Sequence, residues 1–205
     1  MALTFEVDPV FGRSLRDGIT ALWADVTDAG GAVGFVPPAN PDEIRRELLK
    51  HLTAITEGRT RLLVGRDEDG TVAATAFLAR TTHRLMTHWV LLHTVMVHPR
   101  LQGRGLGREL MAAVADAARA MDGIEAIRLG CRGGTGADLF YASCGYKEVG
   151  RVPGAIRVAP GDDRDDITML LPLFPRSVSA ADRGKSGSPL NHVNSGHASL
   201  VGQDV

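Results

Sequence analysis

Gln102-Gly103-Arg104-Gly105-Leu106-Gly107 decides how this chain is read. An apolar run, Trp89 to Val97, leads into it through His98-Pro99. Behind it, Leu106, Leu110, Val114, Ala117, Ala118 and Met121 recur at helical spacing, which predicts an amphipathic helix. The stretch therefore reads strand, glycine-rich turn, helix. A turn of this kind aims free backbone N–H groups at one point, at the positive end of a helix dipole. That is an anion site, and a pyrophosphate suits it. Arg100, Arg104 and Arg108 add positive charge to the same turn.

Three glycine loops compete for this sequence. A Walker loop ends in Gly-Lys-Ser/Thr, whereas Gly107 is followed by Arg108-Glu109. A dinucleotide fingerprint counted from Gly103 needs its third glycine at 108, where Arg108 stands. The remaining pattern is Gln/Arg-x-x-Gly-x-Gly/Ala after a strand ending in Val-x-Pro. Gln102, Gly105, Gly107 and Val97-His98-Pro99 fit it. This resembles the coenzyme A loop of the GNAT superfamily of N-acetyltransferases.

A second stretch, Ala137-Asp138-Leu139-Phe140-Tyr141-Ala142-Ser143-Cys144-Gly145-Tyr146, is similar to the superfamily's late helix. An aromatic-Tyr pair is followed there by Gly and an aromatic residue. Gly145 ends the helix because glycine takes the left-handed conformation without penalty. A finer resemblance, to the tabtoxin-resistance-type acetyltransferases, lies in Asp28–Pro38 and in Gly150–Gly154, followed by an acidic turn and Asp166–Leu171.

The resemblance implies an α/β fold with a mixed, twisted central sheet of six to seven strands and helices on both faces. Periodicity agrees. Residues 14–28 read as a helix, and Asn40-Pro41 caps a second that Gly58 ends. Arg61–Gly65 and Thr71–Arg80 form a hairpin around Asp67–Gly70. Trp89–Val97, nearly all apolar, belongs at the sheet centre. Strands at Ala126–Gly130, Tyr146–Val152 and Ile167–Leu173 and a helix at Thr135–Ser143 complete the order. A single acetyltransferase domain is expected over residues 1–174. Residues 175–205, polar and aperiodic, are expected to form a flexible tail dispensable for acetyl transfer.

Composition narrows the function. With 23 Lys+Arg against 24 Asp+Glu, no basic excess points to nucleic acid. No apolar run reaches membrane-spanning length, and Met1–Val10 does not read as a signal peptide. Cys131 and Cys144 form neither a disulfide framework nor a metal spacing, and a cytoplasmic location is expected. No metal is expected, and a homodimer is left open.

The resemblance also assigns roles. Acetyl-CoA is the expected co-substrate. Val95, Met96 and Val97 would hold its pantetheine arm, with the Val95 N–H on the thioester carbonyl in the manner of an oxyanion hole. Gln102, Gly103, Arg104, Gly105, Gly107 and Arg108 would hold the pyrophosphate. Tyr141 would act as general acid toward the leaving sulfur, since ordinary thiol and tyrosine pKa values, about 8.5 and 10, lie close together. Acidic residues common in relatives align with Leu91 and Gly130, which leaves His93 either as a base acting through water or as a hydrogen-bonded core histidine. Strict alternation puts His93, Val95 and Val97 on one sheet face and Thr94 and Met96 on the other. Phe35, Pro37 and Pro38 are expected at the mouth that admits a small primary amine, an antibiotic or toxin among the options. An acetyl-CoA sensor, or an acetyltransferase for protein N-termini or lysines, is the alternative.

Overall fold

The computed structural model describes residues 2–173. The tail expected from residue 175 lies outside the described residues. The elements in chain order are β1 (Thr4–Val7), α1 (Arg13–Asp28), α2 (Pro41–Thr56), β2 (Thr60–Arg66), β3 (Val72–Arg80), β4 (Trp89–Val97), α3 (Leu106–Arg119), β5 (Ala126–Arg132), α4 (Ala137–Ser143), β6 (Lys147–Ala159) and β7 (Asp162–Pro172). They build a seven-stranded sheet in the order β1-β2-β3-β4-β5-β7-β6. Only the β4–β5 pair is parallel; the other neighbours are antiparallel.

Each helix forms where its sequence allows. The Asn40 side chain accepts from the N–H groups of Asp42 and Glu43, Pro41 opens α2, and both acids lie in its first turn. Helix α3 buries Leu106, Leu110, Met111 and Val114 on one face. The sheet is covered on both sides. On one side α3 and α4 close over Leu63, Ala76, Leu92, Leu129 and Ile167. On the other, α1 and α2 close over Leu62, Val64, Phe77 and Met96. Strand β4 is the middle strand, as its apolar run predicts.

Two expectations need correction. Strand β1 is invisible to periodicity, because it is short and carries burial only at Phe5; it gains order by pairing with β2. The acidic stretch after Gly154 is also not a loop. It lies within a long β6–β7 hairpin that turns at Pro160-Gly161. Arginines on the hairpin neutralise the aspartates that would otherwise disfavour a strand: Arg151 binds Asp165, Arg157 binds Asp163 and Arg164 binds Asp162.

Candidate active site

The site starts from an interruption in the central strand. Pairing of β4 with β5 runs from Trp89–Ala126 to Leu92–Leu129 and then stops, although both strands continue. The β4 edge from His93 to Val97 is thus left without a β5 partner. Opposite, Thr75 pairs with Met96 and Phe77 with His93, so Thr94 and Val95 face Ala76 alone. This is a β-bulge. Thr94 absorbs it with φ of 52°, a left-handed conformation that costs a β-branched residue on the order of 1–3 kcal/mol.

The bulge overturns strict alternation. His93 stacks on Phe77 at 5.6 Å, on the α1–α2 side where Met96 is buried. Val95 and Val97 pack on the α3 side. His93 and Met96 therefore share a face. One extra residue in a strand inverts every later side chain, and no feature of the apolar run Trp89–Val97 announces it.

Beyond β4, the turn forms as its glycines dictate. Gly103 and Gly105 have φ of 74° and 85°, and Gly105 is the N-cap of α3. The backbone N–H groups of Gly103, Arg104, Gly105, Leu106 and Gly107 find no acceptor among the described residues. Free N–H groups at a helix N-terminus are the arrangement that can cradle an anion. The Gln102 side chain donates to the Val97 carbonyl at 2.9 Å, fastening the turn to the strand. Gly107 has a packing reason as well, since a Cβ there would approach the Phe140 ring at 3.1 Å.

A cleft of about 640 Å³ runs along this surface, lined by Val95, Val97, Gln102, Gly103, Gly105, Gly107, Arg108, His93 and Tyr141. Two expected arginines behave differently: Arg104 does not line the cleft, and Arg100 is committed to the buried Asp67 carboxylate at 2.6 Å. Met96 turns its side chain into the core, which leaves its expected role to its backbone. A second cleft of about 550 Å³ lies under the α1–α2 loop, lined by Phe35, Pro38, Glu43, Arg132, Arg157 and Asp166. Pro38, not Pro37, lines it. Phe35 is braced edge-on against Trp23 at 5.6 Å, and Trp23 donates to the Val33 carbonyl at 2.8 Å. The clefts share Ala32, Gly130, Cys131 and Arg132, so they meet.

Electrostatics distinguishes the groups at the junction. Burial raises the Tyr141 pKa well above the ordinary range, with the Cys131 and Cys144 thiols adding to it. The close match to a thiol expected from ordinary values therefore fails, and the phenol stays protonated at neutral pH. Burial likewise pushes the Cys131 thiol up to about 11, so it stays protonated and weakly nucleophilic at neutral pH. Burial, then the neighbouring His51, lowers His93 to about 4. Its ring lies 4.8 Å from that of His51, whose pKa is also lowered by burial. His93 is neutral at neutral pH and a weaker base than its ordinary value suggests.

These histidines carry a prediction. The unfolded chain binds protons that the folded rings refuse, between the ordinary pKa of 6.5 and about 4. Stability is therefore highest above pH 6.5 and falls as pH drops toward about 4. His93→Phe should flatten that slope in thermal melts; a slope equal to wild type would show that the ring is protonated without penalty.

The sequence pattern of the acetyltransferase (GNAT) family matches residues 18–146, which take in the unpaired β4 edge, the cradle and Tyr141. The chain belongs to that family. Solved structures agree on the GNAT fold. A candidate phosphinothricin N-acetyltransferase has a TM-score of 0.69 at 19% identity, covering 85% of this chain and 100% of its own. YncA, a candidate acetyltransferase from Salmonella typhimurium determined with its cofactor acetyl-CoA, has a TM-score of 0.68 at 21% identity, covering 88% and 99%. Ribosomal-protein-alanine N-acetyltransferase from Brucella melitensis has a TM-score of 0.66 at 20% identity, covering 83% and 99%. The phosphinothricin and ribosomal-protein-alanine enzymes share the fold and are named for different acceptors. Among the described residues no helix is long and apolar enough to cross a membrane, and no cluster of three or more His, Cys, Asp or Glu side chains could hold a metal.

Proposed function

We propose that this GNAT acetyltransferase moves the acetyl group of acetyl-CoA to a primary amine of a small molecule, by direct attack within a ternary complex. The observation that carries the reading is the junction of two clefts. One runs along the unpaired β4 edge to the N–H cradle, and the other is a cleft of about 550 Å³ under the α1–α2 loop. The first suits a long co-substrate with a pyrophosphate. The second suits a compact acceptor. Its roof, Phe35 and Pro38, is held by the Trp23–Val33 hydrogen bond and by Ala39 N–H donating to Asp28 at 2.7 Å. The resemblance over Asp28–Pro38 and Gly150–Gly154 supports a reading close to the tabtoxin-resistance type.

In this reading the cradle from Gly103 to Gly107, with Arg108, binds the pyrophosphate. The Val95–Val97 edge binds the pantetheine arm, with the Val95 N–H directed at the thioester oxygen, where charge develops. Tyr141 donates to the departing sulfur. No covalent enzyme intermediate is needed, and the protonated Cys131 agrees with that. Screening a library of primary amines for release of free coenzyme A tests the reading. Selective turnover of small amines is expected. Turnover confined to peptides would support the protein-acceptor alternative, and binding without turnover a sensor.

A further inference from the structure

Strand β7 opens with four aspartates in five residues, Asp162, Asp163, Asp165 and Asp166. Asp162, Asp163 and Asp165 each bind an arginine, and Asp165 also accepts from the Gly154 N–H. Asp166 forms neither an ion pair nor a side-chain hydrogen bond among the described residues. Its location is equally particular. Cys131 and Leu129 face the α3–α4 core, so Gly130 and Arg132 face the opposite side, toward the α1–α2 loop. Asp166 is paired in register with Arg132 and shares that face. A Cβ added to Gly130 would lie 3.5 Å from Asp166 Oδ1. The carboxylate thus lines the cleft under the α1–α2 loop, beside Gly130, which both clefts share and which lacks a side chain.

We propose that Asp166 is the specificity-determining carboxylate of the acceptor pocket, receiving the ammonium group of the incoming amine. This inference rests on the acetyl-transfer reading above. A half-buried carboxylate with no ion-pair partner among the described residues attracts a cationic ligand, and a charge-assisted N–H···O bond fixes the position of the nitrogen. Gly130 keeps the approach open. Glu43, the other acid of the pocket, already takes part in the α2 cap through Asn40 at 3.4 Å. Arg157 is held by Asp163. Arg132 lies beside Asp166 without forming an ion pair among the described residues, so the carboxylate is left for the ligand.

The test uses the full chain and n-butylamine, a primary amine with no second recognition group. With coenzyme A bound, butylammonium at pH 7 is expected to shift the amide NMR signals of Gly130, Arg132 and Asp166. Asp166→Asn should weaken that binding about 10-fold or more, the range of one charge-assisted hydrogen bond. Coenzyme A affinity and melting temperature should stay at wild-type values, and Asp166→Glu should recover part of the loss. Under turnover with acetyl-CoA, Asp166→Asn should raise KM for the amine more than it lowers kcat. Arg132→Gln separates this role from a structural one. If Asp166 served only to hold Arg132, the two variants would behave alike, and the proposal would be overturned. Equal butylammonium binding by wild type and Asp166→Asn overturns it too, as does a wild type that binds coenzyme A but not butylammonium. A wild type that fails to bind coenzyme A removes the acetyl-transfer reading itself, and this proposal with it.

Discussion

Tyr141→Phe is expected to lower turnover about 100-fold, at the low end of what a positioned acid–base group contributes. Acetyl-CoA affinity should be unchanged, because the hydroxyl acts as the sulfur gains charge and matters little before. Stability should also hold. The ring keeps its contacts with Phe140 at 5.2 Å and Tyr146 at 5.8 Å, and only one oxygen is removed. The upward pKa shift of the buried phenol sharpens the expectation. Tyr141 remains a donor across the working pH range, so its loss should scale the pH–rate profile down without removing an alkaline limb. Coenzyme A release, measured where product release is not limiting, checks this. A Tyr141→Phe enzyme with wild-type turnover would take Tyr141 out of the mechanism and leave water as the proton source.

Gly105→Val should weaken acetyl-CoA binding on the order of 10–100-fold, as expected from left-handed strain added to lost access to the cradle. No neighbour would clash: a Cβ at Gly105 meets nothing within 4 Å. The cost arises from the backbone, since φ of 85° is a conformation that valine resists. Relaxation toward negative φ would turn the N–H groups away from their common focus. Gly107→Ala should act by another route, through the Phe140 ring. Calorimetric titration of a folded Gly105→Val variant provides the check, and wild-type affinity would refute the cradle.

The sequence made the strand–turn–helix legible because its glycines perform backbone tasks that few residues can. Gly103 and Gly105 do take positive φ, and the β4 run does occupy the centre of the sheet. The cap at Asn40 was equally readable, since its chemistry is local. What stayed hidden depends on partners distant in sequence. The bulge at Thr94 arises from pairing with β3, and it reverses the face of His93 relative to Val95. The diversion of Arg100 requires Asp67, 33 positions away. The unpaired carboxylate of Asp166 stands out only once the β6–β7 hairpin matches its acidic neighbours with arginines. The pKa shifts of His93 and Tyr141 follow from burial, which residue identity alone does not carry.

The central claim is that the open β4 edge and the N–H cradle together bind acetyl-CoA. Titration of the wild-type protein against acetyl-CoA, ATP and NAD, followed by thermal shift, tests it most directly, since a ligand that binds only the native state raises the melting temperature. A saturable rise is expected with acetyl-CoA, and none of comparable size with ATP or NAD. No shift with acetyl-CoA, or a larger one with NAD, would contradict it.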